Sequence, residues 1–516
     1  MIGIQLRHEE YSSLTFDGLK TSVRTRMHFR LSSVDSADDL IASKEENMSM
    51  DLTALFLSRL QFAFTISFHI IFPSFTIGLG AWLVVLEAVH LATGRHVYRR
   101  LFDFWVKIFA LAFGLGVVSG IVMPFEFGTN WSRLSASSGP IQGPLLLYEA
   151  FTAFALEASF FGVLLFGRSR LPPAAFLFST FMVALGTTFS AFWIMVNNSW
   201  MQSPVGYVIR DGAYVPTDWY AIIFDPVVWV RFPHMLLGAY LTGACCVAAT
   251  GAWYRLQNKF AAESDVMLRM GLFLAALLIP VQLLFGHLNG DYVHERQPAK
   301  FAAIEARWHD EQPAAEVVLA LPDETTESNH FEFKIPWIGS FVASGNFSSK
   351  EIGLTNFARA DRPPVLIPFF AFRVMVGCGL IMLGVAWTGS LLMARGTLKR
   401  SRPLLWGVFL NFPMPFLAIL TGWFTAEVGR QPWTIYGLLR TADAVTPGLT
   451  VHQTVASLFF FVTIYALIFC FGTLYIYRLL KAGPVLVSGE VNAGPSRPLA
   501  IPGGAPTATV NVNLDR

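Results

Sequence analysis

Charge is what this sequence has least of. Asp, Glu, Lys and Arg supply 14% of its 516 residues against 54% hydrophobic ones, and the mean hydropathy is +0.50. Ordinary water-soluble domains carry roughly 25% charged residues, so that class is excluded and a polytopic membrane protein is expected. A net charge of +2 leaves no concentrated basic patch, which argues against nucleic acid as a partner. Cysteine is scarce too. Cys245, Cys246, Cys378 and Cys470 lie inside apolar runs, at spacings that fit neither a metal finger nor a redox pair, and read as small core residues. There is no phosphate-cradling glycine motif, no Ser-His-Asp arrangement and no internal repeat. Residues 1–50 are polar and lack an apolar stretch long enough for a signal peptide. They are expected to be a disordered extension or a mis-assigned start, since Met48 and Met50 directly precede the first apolar run.

What is present is a series of apolar runs near 62–91, 104–126, 144–167, 174–200, 229–253, 268–288, 366–394, 404–427 and 452–479. Each is about 20 residues or longer, enough to cross a bilayer as a helix. The expected fold is an all-α polytopic membrane protein with nine transmembrane helices over residues 51–481, with 51–61 as an interfacial lead-in. Basic residues mark the loops after the first, third, fifth, seventh and ninth runs, among them Arg95, Arg99, Arg168, Arg255, Lys399, Arg400 and Lys481. By the positive-inside rule those loops are cytoplasmic. The start of the first run and the long segment 289–364 then face outward, and 482–516 is a flexible cytoplasmic tail. That long segment shows no clear fold of its own beyond helical character from Lys300 to Trp308.

Against so apolar a background, the few intramembrane polar residues are the functional candidates. The stretch Thr421–Trp433 ends an apolar run with Glu427, preceded one turn earlier by Trp423 and followed three residues later by Arg430. A carboxylate, an aromatic plate and a guanidinium suit a large flat anionic cofactor such as haem. They also suit an interfacial Glu–Arg pair beside an aromatic belt. His69, His234, Met375 and Glu427 fall at similar outer depths on four different helices, as bundle-core cofactor sites require. His with Met is a low-spin haem pairing. Either residue alone is more often packing. Arg373, two residues before Met375, needs an anion, and a haem propionate would serve. Glu149 and Glu157 are eight residues apart on the third run, hence about 12 Å along a helix and roughly 80° around it. Two carboxylates at stepped depths suit a proton relay, or a pair of interhelical hydrogen bonds.

The motifs SRLQFAFTISFH, GTNWS, LLLYEAFTAFALEASF, NSWMQSP, KFAAIEARW, AFRVMV and above all GWFTAEVGRQPW occur in this order along the chain. Together they resemble subunit I of the cytochrome bd-type quinol oxidases, from about Leu52 to Leu480. The resemblance implies a bacterial inner-membrane enzyme that oxidises membrane quinol at the outer (periplasmic) face and reduces dioxygen to water, building a proton gradient without pumping. It implies His234 and Met375 as axial ligands of a low-spin haem b. His69 and Glu427 would serve a high-spin haem b and a haem d, in either order. Glu149, Glu157 and Trp423 would line the di-haem site, with Arg59, Arg373 and Arg430 as cationic neighbours. Gln297, Lys300 and Glu305 fall in the quinol-binding loop. A second subunit, a small single-helix accessory subunit and membrane lipid are the implied partners. The short outer loop resembles the cyanide-insensitive branch, in which a further haem b can replace haem d. Two other readings stand beside this one: a transporter or channel lined by Glu, His and Arg, which predicts paired broken helices, and a haem electron carrier without oxygen chemistry.

Overall fold

The computed structural model describes residues 37–484, with side chains from Ala54 onward except Phe154. The expected N-terminal extension therefore lies outside the described residues as far as residue 36, and the expected tail lies outside them from residue 485. Residues up to Ser49 and residues from Met50 form separate units. The second carries the spans.

Nine helices among the described residues are long and apolar enough to cross a membrane: Ala54–Thr93, His96–Thr129, Ser132–Phe166, Pro173–Gln202, Trp219–Leu256, Ala261–Arg296, Leu366–Ala394, Arg402–Val428 and Val451–Ala482. They correspond one to one with the expected runs. The lead-in expected at 51–61 is instead continuous helix through Ser58, Arg59 and Gln61. Ser58 and Gln61 are buried, and Asn130 at the end of the second span donates to Ser58 Oγ at 3.3 Å, so the polar side of this turn points into the bundle.

Three spans depart from regular α geometry. The third contains a π-helical turn, Ala153–Ala158, which carries Glu157. Such turns shift the rotation of everything beyond them, so the 3.6-residue wheel used above for Glu149 and Glu157 does not apply. The eighth is interrupted between Leu410 and Met414, where Asn411 and Pro413 break the backbone ladder. The fifth is also broken, at Phe224 and Asp225 between the helices Trp219–Ile223 and Pro226–Leu256. That break lies at the very start of its span and the other inside the eighth, so the two do not form the matched pair that the transporter reading calls for.

Segment 289–364 does have a fold. The sixth helix runs on to Arg296, a short helix follows at Pro298–Ile304, and β3 (Glu316–Asp323) pairs antiparallel with β4 (Ser328–Ile335). A smaller hairpin, β1 (Tyr207–Arg210) and β2 (Ala213–Pro216), turns at Asp211-Gly212, both with positive φ as a type I′ turn needs.

Depth within the bundle is set by glycine crossings. The first and fifth spans touch backbone to backbone at Gly78 and Gly243, where a Cβ on Gly243 would stand 3.0 Å from the Gly78 Cα. Both helices run in the same direction from the loop-bearing end. His69 and His234 each lie nine residues before their crossing glycine, about 13.5 Å along the axis. The two imidazoles therefore share a level. A Cβ on Gly238 would meet Ile419 at 3.6 Å, and one on Gly422 would meet Met375 Sδ at 2.8 Å. Counting about 1.5 Å per residue from Gly238 to His234 and from Ile419 to Gly422 brings Met375 to nearly the level of His234.

Candidate functional site

His69 is oriented by the second span. The Ser119 hydroxyl stands 2.9 and 3.0 Å from the helix carbonyls of Leu115 and Gly116 and 3.0 Å from His69 Nδ1. With its one hydrogen on a carbonyl it accepts from Nδ1–H and leaves Nε2 its lone pair, the state of a metal-binding imidazole whose other nitrogen is held by an outer partner. Ser119→Ala is expected to release the ring and to weaken retention of a haem at His69 by about 10- to 100-fold, read by haem titration against the wild type.

His234 is held differently. Its Nε2 lies 3.3 Å from the amide nitrogen Gln282 Nε2, a donor, so Nε2 accepts, while Nδ1 is buried without a partner. Beside His69, His234 and Met375 the neighbouring helix is stripped to glycine. A Cβ at Gly120 would stand 2.9 Å from His69 Cε1, and one at Gly286 would stand 3.3 Å from His234 Cε1, just as Gly422 makes room for Met375. Trp423 follows Gly422 and is half-buried at the same level.

Glu427 is the centre of a larger network at the end of the eighth span. Its Oε1 accepts from Asn198 Nδ2 at 2.9 Å and Gln202 Nε2 at 3.2 Å, and its Oε2 pairs with Arg430. The interfacial Glu–Arg pair considered above is thus real, but Arg430 is buried and belongs to a cluster. Arg231, also buried, donates to Asn198 Oδ1 and to Ser199 Oγ. Lys300 Nζ donates to Gln202 Oε1 at 3.2 Å and to Ala426 O at 2.9 Å, and Gln297 Nε2 donates to the Gln202 backbone oxygen at 2.6 Å and to its Oε1 at 3.1 Å. Burial, with the Arg231 charge adding to it, pushes the Lys300 ammonium down to about 7.

Arg231, Lys300 and Arg430 are three buried cations grouped around one carboxylate. Buried charge on this scale requires a counter-charge, and Arg430 Nε and Nη1 have no partner at all. The two propionates of a haem would supply counter-charge of the sign and amount this cluster calls for. The ligand types, the glycine clearances and the excess positive charge agree with one another. Among the described residues no three His, Cys, Asp or Glu side chains gather around one point; the candidates stand singly, as axial ligands of a porphyrin do.

Arg373 is placed differently from expectation. Its guanidinium is held by protein: by Val317 O at 2.9 Å, Ile304 O at 2.8 Å and Glu305 Oε2 at 3.4 Å, with Glu316 Oε1 at 3.8 Å. It clamps β3 and the Pro298–Ile304 helix to the seventh span, so its anions are the carboxylates of the loop. Burial and the adjacent Glu305 raise the Glu316 carboxyl above its usual range. Arg59 is exposed on the first span and takes no part in the Glu427 network.

Glu157 is buried, packed on Gly186 of the fourth span, where a Cβ would stand 2.7 Å from its Cγ. Glu149 follows Tyr148, whose ring stacks on Trp193 at 5.0 Å. Trp193 is five residues before Asn198, about 7.5 Å deeper than Glu427's partner. Along the third span Glu149 comes first and Glu157 follows it within the π turn.

Asn198, Gln202, Arg231, Ser119, Gln282 and Glu316 were not singled out from sequence. The contiguous polar residues in NSWMQSP were the available signal, since Asn198 and Gln202 are four apart and face one way. Glu126 was also passed over. It is fully buried in the second span, facing the buried Gln61 and Thr65 of the first.

The chain matches the family model described as cytochrome bd terminal oxidase subunit I over residues 57–484. It is similar to cytochrome bd ubiquinol oxidase subunit 1 of Bacillus subtilis (strain 168), 34% identical over 440 residues covering 83% of this chain and 93% of that one. It is also similar to cytochrome bd-II ubiquinol oxidase subunit 1 of Escherichia coli (strain K12), 32% identical over 505 residues covering 84% and 98%. Among solved structures, that of the bd oxidase from Geobacillus thermodenitrificans superposes with a TM-score of 0.78 at 25% identity, covering 83% of this chain and 98% of that one. The spans, the singly placed ligand types and a match over most of the length agree: the chain belongs to the cytochrome bd terminal oxidase subunit I family.

Proposed function

We propose that this chain is the haem-bearing catalytic subunit of a terminal oxidase that takes electrons from membrane quinol and delivers them to dioxygen. The observation that carries this reading is the three-cation pocket around Glu427, which calls for a bound anion with propionate-like charge. Bound haem supplies electron transfer and dioxygen reduction. His234 and Met375, level on the fifth and seventh spans, hold the low-spin haem b; His69 and Glu427 hold the high-spin haems, a haem b with a haem d or a further haem b.

At the loop-bearing end, which the basic loops assign to the outer face, Gln297 and Lys300 present donors to a quinol oxygen. Glu305, beside a Glu316 carboxyl that retains its proton beyond the ordinary carboxylate range, takes up the hydroxyl protons and releases them outward. Arg373 holds both carboxylates in place. Glu316→Gln is expected to remove one limb from the pH profile of quinol oxidation, on the alkaline side of the usual carboxylate range. A profile unchanged in that variant would argue against the pair.

Glu157 and then Glu149 hold and pass protons arriving from the cytoplasmic end. Protons consumed and protons released would thus stand on opposite sides, and a gradient forms without a pump. Glu157→Gln keeps the shape and removes the exchangeable proton. It is expected to slow dioxygen reduction by about 100-fold or more, the scale of a lost proton-transfer group, with haem content intact. Full turnover in that variant rules out the relay. Subunit II and a small single-helix subunit are the expected partners. The third and ninth spans expose Leu147, Phe151, Phe459, Phe460 and Phe471 to lipid or to them.

A further inference from the structure

Gln202 lies at the end of the fourth span and is buried. Its two side-chain atoms face different elements. Nε2 donates to Glu427 Oε1 at 3.2 Å and to Ala426 O at 3.4 Å; Oε1 accepts from Gln297 Nε2 at 3.1 Å and from Lys300 Nζ at 3.2 Å. A carboxylate only accepts and an ammonium only donates. The amide is therefore locked by polarity at both ends, because turning it over would set oxygen against carboxylate and N–H against ammonium. No other described side chain bonds both Glu427 and the Gln297–Lys300 pair.

We propose that Gln202 is a positioning residue that couples the quinol-facing pair Gln297 and Lys300 to the carboxylate of Glu427. This rests on the reading of Glu427 as a haem ligand and of the pair as quinol contacts. Gln297 and Lys300 have a finite set of donors. When those donors turn to a quinol oxygen, Gln202 Oε1 loses them, the amide is released from its fixed orientation, and the hydrogen bond at Glu427 Oε1 weakens. A carboxylate with one fewer hydrogen bond is a more basic, more strongly donating ligand. The high-spin haem is thereby informed of whether quinol is bound, with no movement of the spans. The network is cooperative in the ordinary sense that both ends of one amide are satisfied together or lost together.

The test uses the assembled oxidase in detergent and reads the midpoint potential of the high-spin haems by spectroelectrochemistry, with and without decylubiquinone, in the wild type, Gln202→Met, Gln297→Met and the double variant. Gln202→Met and Gln297→Met are near-isosteric and neutral, so neither alters the buried charge. The expected result is that Gln297→Met shifts the high-spin potential in the wild-type background and adds no shift once Gln202 is Met, a non-additive cycle. Decylubiquinone likewise shifts that potential in the wild type and not in Gln202→Met. Additive effects, or no effect of Gln297→Met on the high-spin potential, overturn the coupling. If Gln202→Met fails to retain its haem, the Gln297→Met shift alone decides. A wild type that ignores decylubiquinone while the mutational cycle remains non-additive places quinol elsewhere and leaves the coupling standing. The two failures are therefore distinguishable.

Discussion

Replacing Met375 by Leu is expected to abolish the low-spin haem signal and to cut quinol-driven oxygen consumption by more than about 100-fold, since loss of the ligand itself exceeds the 10- to 100-fold cost of losing an outer-shell partner. Carbon monoxide binding at the high-spin site should remain. The selectivity follows from placement. Met375 sits on the seventh span against Gly422 of the eighth, whereas His69 is held on the first span by Ser119 of the second, and Glu427 is held by Asn198 and Gln202 of the fourth. Leucine fills almost the same volume without a thioether, so the helix pair should stay packed. Optical difference spectra with and without carbon monoxide check the result, and disappearance of every haem in Met375→Leu would count against the ligand assignment.

Glu427→Ala should have the larger effect on the molecule as a whole. It leaves Arg231, Lys300 and Arg430 buried without their protein carboxylate and deprives Asn198 and Gln202 of an acceptor. Removing one partner of a buried ion pair costs about 3–5 kcal/mol. The variant is expected to lose one high-spin haem and to denature at a clearly lower temperature than the wild type. Pigment extraction with mass identification of the haems, together with a thermal denaturation curve, reads both. Wild-type haem content in Glu427→Ala excludes the ligand role, whatever its stability.

The nine spans were legible because length and apolarity alone decide whether a helix crosses a bilayer. His69, His234, Met375 and Glu427 stood out as candidates because ionisable or sulfur-bearing side chains are conspicuous in oily runs. What escaped was pairing between elements. Arg373 read as a propionate partner, since in sequence its nearest chemistry is Met375; in the fold it reaches Glu305 and Glu316 across a loop whose hairpin no periodicity announced. Asn198 and Gln202 were not singled out, because nothing local shows that Glu427, more than two hundred residues on, closes over them. The π turn at Glu157 likewise gives no compositional signal, and the straight-helix wheel misplaced that carboxylate's bearing relative to Glu149.

The central claim is that sparse polar side chains at shared depth hold iron porphyrins in this bundle. The most direct measurement is a dithionite-reduced minus air-oxidised spectrum of the purified, fully assembled complex, with haem quantified per chain. Low-spin and high-spin bands together, accompanied by dioxygen uptake when reduced quinone is added, are predicted. A complex without porphyrin absorption contradicts the account entirely, and low-spin bands alone reduce the chain to an electron carrier.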